Sequence, residues 1–291
     1  LDHIPPPTQK GVFAYGSTSG VVSLKNLLGS NGVIAADVTG VGTARQQIGA
    51  TSYGGDKAIF AYGYTGGYVN MSNLVNTSGV IAADVTGVGT ARYKVAAARF
   101  GGDKGIFAYG MKGGDALTNV SNLVSNSGVV ATDATGVGTA RVITAGVGYG
   151  GDKAIFAFGN SASAGDYSLK NLVSNTGVIG SDVTGVGTAR GALAAVSYGV
   201  GLAIYTYGID AAGTYYTVRN LVNNVGVVAA DASGAGTGRS FLAAAAYGGD
   251  KGAIAYGTTG TKVSTKNLVS NTGVVAADVS GVGTARSTLA G

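Results

Sequence analysis

The sequence predicts an all-β fold, a six-bladed β-propeller of four-stranded blades whose ring is closed by the C-terminal strand completing blade 1. Three observations carry this. The phrase TAR or TGR places an arginine at Arg45, Arg92, Arg141, Arg190, Arg239 and Arg286, 47 or 49 residues apart. An Asn-Leu pair at Asn26, Asn73, Asn122, Asn171, Asn220 and Asn267 repeats with the same spacings. A period of this length with several short strands per unit is the signature of a propeller blade. The ends are also complementary. Residues 11–16 (GVFAYG) already match the second strand of a unit, so the first unit lacks its first strand. Residues 285–291 (ARSTLAG) supply a spare one after the last unit. A linear solenoid has no use for such ends.

Within the last full copy, residues 240–247 (SFLAAAAY) read as the first strand. Gly248, Gly249 and Asp250 make a hairpin turn, because such turns need residues that accept positive φ. Residues 251–256 form the second strand, a variable loop follows, and the third strand runs through Asn267, Leu268 and Val269. Residues 270–273 (SNTG) turn into a fourth strand at 274–278, and SGVGTAR leads onward. From each Asn to the next Arg is always 19 residues, and from each of the first five arginines to the Gly ending the FAYG-like phrase is always 18. All length variation therefore falls between that Gly and the next Asn, which marks a surface loop. Second strands such as AIFAYG are apolar on both faces and should be packed between neighbouring sheets. Residues 191–209 carry no charge over 19 positions, the length of a membrane span. Four glycines (Gly191, Gly199, Gly201 and Gly208) and the register of the repeat argue for strands instead.

The 53 glycines and abundant alanines suit tight turns and narrow inner strands. Residues 10–291 are thus one propeller domain. Residues 1–9, with Pro5, Pro6 and Pro7, form a stiff arm that could reach an upstream domain or a neighbouring subunit, making an oligomer possible. The chain opens on Leu, the mark of a processed product or a fragment. No cysteine is present and His3 is the one histidine, which removes disulfides, thiolate chemistry and paired imidazoles. The charge of +5 is spread without a basic run, so nucleic acid is not an expected partner.

The arginine before the first strand, the phrase KAIFAYG and the order of the third and fourth strands resemble kelch-type propellers over nearly the whole chain. There is one Gly after the Tyr where kelch has two, and no Trp on the fourth strand. The phrases GGDKAIFAYG and NLVSNTGVVAADVSGVGTAR also resemble repeats in structural proteins of marine tailed bacteriophages.

An aspartate precedes each repeat arginine by eight residues: Asp37, Asp84, Asp133, Asp182, Asp231 and Asp278. One reading is a positive collar for an anion at the channel mouth. The other is a fastening between blades, with Asp accepting backbone N–H bonds in the TGVG turn and Arg paired to an acid or to carbonyls. Sixfold repetition favours the fastening. The Asp-Lys pairs at 56–57, 103–104, 152–153 and 250–251 read as solvated tips on the opposite end. The fifth unit has Gly199-Val200-Gly201-Leu202 there, an uncharged notch that is either a contact or drift. The TGVG phrases lack the Lys-Ser/Thr of a phosphate loop. No calcium-type run of alternating aspartates exists, so neither a metal nor a cofactor is expected. Tyr15, Tyr62, Tyr109, Tyr207 and Tyr256, with Phe158, repeat at one position and belong to the core or blade interface.

The off-repeat residues of the variable loop are the candidate partner-binding set: Tyr64, Tyr68, Lys112, Asp115, Asp166, Tyr167, Asp210, Tyr215, Tyr216 and Lys262. Exposed aromatics among scattered charges are typical contact residues, and the kelch resemblance implies partner contacts on this face. The expected function is a non-enzymatic structural or recognition propeller, a virion component at a phage tail or surface, binding a host or neighbouring protein. Its location would be extracellular or on the virion surface, without membrane insertion. The alternative is a secreted or periplasmic glycan- or protein-binding module. An enzyme is not expected, since copper chemistry wants His and Cys and a glycosidase wants two suitably spaced carboxylates.

Overall fold

The computed structural model describes residues 8–161 and 165–291. The proline-containing part of the arm, with His3, lies outside the described residues. The fold is all-β and antiparallel, and the helical content of the described residues is one short 3-10 turn, Gly113–Asp115. Five units each carry a three-stranded sheet in sequence order, such as Ala145–Tyr149, Lys153–Ala157 and Lys170–Val173. The first unit pairs Gly11–Ala14 with Lys25–Leu28. On the open side of Gly11–Ala14 lies the C-terminal segment: Ala14 N–H donates to Ala290 O at 2.9 Å, and Ser17 N–H to Ser287 O at 2.9 Å. Residues 191–209 fold into the strands Ala194–Tyr198 and Leu202–Thr206. No helix among the described residues is long and apolar enough to cross a membrane.

Two expected strand boundaries move. The first strand of the sixth unit is Ala243–Tyr247 rather than 240–247, because Phe241 sits at φ 53° and breaks the extended run. The expected fourth strand is a looser segment held to the third at two points. In the sixth unit these are Val275 opposite Val269 and Val279 opposite Lys266. Between them the Asn267 side chain takes over, donating Nδ2–H to Ala276 O at 2.9 Å and to Asp278 Oδ1 at 2.9 Å. A side chain thus occupies the place of a ladder bond, and the strand is interrupted.

The hairpin turns form as the glycine pairs predict. Gly54 and Gly55 have φ of 61° and 85° in the three-residue tip between the paired Tyr53 and Lys57, positive values that glycine adopts freely. First strands alternate buried and half-buried residues, whereas second strands bury four in a row, as at Ala154, Ile155, Phe156 and Ala157. The apolar residues therefore do not make one central core. They gather into six clusters, each between two neighbouring units. One of these joins the last unit to the first, packing Phe13, Leu28 and Ile34 against Ala243, Ala245 and Tyr247. Edge-to-face ring pairs across these seams, such as Tyr109 with Phe156 at 5.5 Å, add directionality to the burial.

Candidate functional site

The repeat arginines form one network repeated six times, and it is a fastening. In the third of the six linking phrases, Arg141 Nε–H donates to Phe158 O at 2.9 Å, Nη1–H to Thr139 O at 3.2 Å, and Nη2–H to Asn171 Oδ1 at 2.8 Å. Its guanidinium stacks 4.2 Å from the Tyr109 ring centroid of the preceding unit. Asn171 Nδ2–H then donates to Asp182 Oδ1 at 2.9 Å. The Asp182 carboxylate accepts from Thr139 N–H at 2.9 Å and Thr139 Oγ1–H at 2.6 Å. Arg141 thus meets the aspartate of the following unit, at 3.9 Å, and not Asp133 eight residues before it. Asp133 pairs with Arg92.

All six arginines are fully buried, so they present no positive collar at any mouth. Burial pulls Arg190 down to about 10, a loss that the Asp231 charge partly offsets. It remains a cation near neutrality. The Asp182 carboxyl is pushed up by partial burial, but bonds from Thr139 and Asn171 outweigh this and hold it below the usual carboxylate range.

The backbone is bent to serve this network. Tyr109 sits at φ 63° and Gly110 at φ 113°, which costs a non-glycine residue about 1–2 kcal/mol. The bend aims Tyr109 O at Arg92 Nε, 3.1 Å away, and leaves the ring under Arg141. Burial pushes the Tyr109 phenol up to about 12. Its repeat counterparts, Tyr15, Tyr62, Tyr207 and Tyr256, are likewise fully buried.

The variable loops collect at one end of the molecule. There Gln47, Lys94, Ile143, Ala192, Phe241 and Thr288, one from each linking phrase, line a cavity of about 100 Å³. Each has φ between 49° and 59°. Around this mouth the candidate residues fall into three groups. In the first, Tyr64 and Tyr68 meet Tyr93, with ring centroids 5.3–5.9 Å apart. Tyr68 O–H donates to Asp115 Oδ1 at 2.6 Å, a bond that pushes the phenol up. Lys94 Nζ lies 5.1 Å from the Tyr93 centroid, and burial pulls its pKa down. Lys112 stands beside this group on Met111–Lys112, which pairs with Arg92–Tyr93.

In the second group, Asp166 accepts from Asn160 Nδ2–H at 2.9 Å and from the Ala211 amide of the next unit. Tyr167 O–H donates to Ser161 Oγ at 3.2 Å. Tyr216 O–H donates to Asp210 Oδ2 at 2.8 Å, and Tyr215 pairs with Ile209 in a short bridge. In the third, Lys262 Nζ donates to Ser17 Oγ and Thr18 O, linking the last unit to the first.

In the second unit the expected loop is instead a continuation of the sheet. Lys57–Tyr64 and Tyr68–Val75 extend the hairpin outward and hold Tyr64 opposite Tyr68. Sequence reasoning missed Tyr93 and Lys94, which belong to the first group. The signal was available: they follow a repeat arginine at positions where other copies carry Gln46-Gln47, Val142-Ile143 or Gly191-Ala192. Compared with protein-family models and with curated proteins, the chain matches none.

Proposed function

We propose that this chain is a closed six-bladed propeller that recognises a partner through its variable loops and catalyses no reaction. Closure is supported by the sixth copy of the arginine network. Arg286 donates to Tyr15 O at 3.1 Å and Asn26 Oδ1 at 2.6 Å, and Thr284 donates to Asp37, so that the last link serves the first unit. The cavity lined by a residue from every linking phrase favours the same arrangement. Recognition rests on one observation above the others. The half-buried rings of Tyr64 and Tyr68, on an outward hairpin, cluster with Tyr93 of the next unit beside Lys94, Lys112 and Asp115, at positions where the repeat itself needs none of them.

Such a patch fits a protein surface, where tyrosines supply large contact area at low entropic cost. It also favours a second reading, a cell-surface glycan stacked on the rings. The resemblance to phage structural repeats favours display on a virion or another extracellular surface, where several copies would add weak contacts into avidity. Other virion subunits are partners of the same kind. The test is binding to a glycan array and to intact host cells by wild type, Tyr64→Ala with Tyr68→Ala, and Asp56→Ala with Lys57→Ala at the other end. The tyrosine variant should lose at least tenfold in affinity and the tip variant should bind as wild type. Equal binding by all three would overturn the assignment of the loop face.

A further inference from the structure

The opposite end of the molecule holds a second cavity, of about 120 Å³, lined by the ends of the first strands and by the hairpin tips. The fourth residue of each of the five complete first strands faces it, and this position is small with one exception. It is Ser52 in GATSY, Gly148 in AGVGY, Ser197 in AAVSY and Ala246 in AAAAY, but Arg99 in AAARF. Nothing in the repeat calls for a guanidinium there. Arg99 also differs from the six structural arginines in how little it is used. Those make three hydrogen bonds each, whereas Arg99 makes one, from Nη2–H to Gly151 O at 3.4 Å. A guanidinium has five N–H donors in a rigid fork. Burial pulls the Arg99 pKa down, and the Asp103 charge offsets only part of this.

The surroundings are those of an anion site. Lys153 and Lys251 also line the cavity, with the Ser52 and Ser197 side chains, and no carboxylate does. The nearby acids are turn residues: Asp103 toward Arg99, Asp152 at 3.7 Å from Lys153, and Asp250 beside Lys251. Two of the six tips lack the aspartate altogether. Gln9 and Gly201 stand where the repeat has Asp56, Asp103, Asp152 and Asp250, and both line the cavity. Gln9 Oε1 is buried with no hydrogen-bond partner. Turned about its last bond, the same amide presents N–H donors instead. The uncharged notch of the fifth unit thus removes a negative charge from the mouth.

We propose that this cavity binds a single small oxyanion of phosphate or sulfate size, held by the Arg99 guanidinium with help from Lys153, Lys251 and the Gln9 amide. The fork of an arginine matches two oxygens of such an ion. A cavity of about 120 Å³ has room for such an ion.

The test is calorimetric titration of the whole chain with inorganic phosphate, sulfate or acetate, in chloride at constant ionic strength, paired with melting curves. Wild type should bind phosphate or sulfate saturably, one per chain, and melt higher in its presence. Arg99→Ser, which installs the side chain found at Ser52 and Ser197, should melt at or above the wild-type temperature in chloride and bind at least tenfold more weakly. Arg99→Lys keeps the charge without the fork and should fall between. No saturable heat in wild type, or the same affinity in Arg99→Ser, would overturn the proposal. Binding of acetate as tight as that of phosphate would overturn the assignment to a tetrahedral oxyanion.

Discussion

The proposed closure of the ring makes a quantitative demand on Arg286. If the six links are equivalent, removing the last arginine should cost what removing an interior one costs. The substitution to use is Arg286→Met beside Arg141→Met, since Met keeps most of the apolar stem and a polarizable group over the Tyr256 or Tyr109 ring. In either case the guanidinium is lost from a fully buried site. At Arg286 the change strands Tyr15 O and Asn26 Oδ1, which it held at 3.1 and 2.6 Å. At Arg141 it strands Asn171 Oδ1, held at 2.8 Å, and leaves Phe158 O only the longer bond from Thr144 Oγ1–H at 3.3 Å. An orphaned buried acceptor costs about 1–3 kcal/mol, and the Asp37 or Asp182 carboxylate facing the guanidinium, being partly exposed, adds little. We therefore expect a loss of about 4 kcal/mol from either variant, out of a total of roughly 5–15 kcal/mol.

Equilibrium unfolding in guanidinium chloride measures this. With a slope of roughly 6 kcal/mol/M, the upper end for small proteins, the midpoint should fall by about 0.7 M in both variants. In an open chain the last seven residues would be a terminus, and termini fray at little cost. A midpoint for Arg286→Met close to wild type, with Arg141→Met well below it, would refute the closed ring.

The repeated aspartates predict an acid limit to stability. Asp37, Asp84, Asp133, Asp182, Asp231 and Asp278 all have depressed carboxyl pKa values; partial burial opposes this, and bonds from Thr and Asn outweigh it. A folded pKa below the unfolded one means that the unfolded chain binds more protons in the window between them. Stability should be fully present above the unfolded value near pH 4 and decline as pH falls through the folded values. Guanidinium midpoints taken from about pH 6 down to about pH 2 should show this decline, with a shallower slope in Asp182→Asn; a flat profile would contradict the network. The first glycine of each TGVG phrase predicts a steric limit. A Cβ on Gly185 would lie 1.2 Å from the Ser168 carbonyl oxygen, whereas one on Gly67 would meet nothing within 4 Å. Gly185→Ala should therefore unfold or strongly destabilise the chain, and Gly67→Ala should stay within about 0.5 kcal/mol of wild type by the same unfolding assay.

Sequence reasoning reached the repeat, the turns and the loop end because each is written locally. A Gly pair before Asp-Lys is a hairpin wherever it occurs, and a fixed spacing broken in one segment names that segment as a loop. It did not reach which units a contact joins. Asp133 and Arg141 lie eight residues apart, but the chain between them passes from one unit to the next. Asp133 consequently faces back toward Arg92 while Arg141 faces forward toward Asp182. Spacing alone cannot distinguish these, since every unit offers the same pair in both directions. The interrupted fourth strand escaped for a similar reason. Its β-branched composition predicts a strand, and the side chain that displaces the ladder, Asn267, sits on the strand before it. The TGVG glycines were read as turn residues; the close approach of Gly185 to Ser168 is a contact that composition does not reveal.

The same repetition explains why function belongs to the exceptions. Every repeat arginine, asparagine, threonine and aspartate has its hydrogen-bonding capacity drawn into holding two units together, and a charged group already satisfied and buried has little left to offer a ligand. A residue that departs from the repeat has no such duty. Arg99 carries a desolvated charge with one long hydrogen bond where its counterparts are Ser, Gly and Ala. Tyr64 and Tyr68, on a hairpin continuous with its sheet, form a ring cluster with Tyr93 of the next unit. Neither departure strengthens the repeated seam, and burying a poorly paired guanidinium works against stability. Such a residue is best accounted for by a ligand that completes its bonds. The two exceptions stand at opposite ends of the units, so the oxyanion site and the loop-face recognition site can be tested, and can fail, independently.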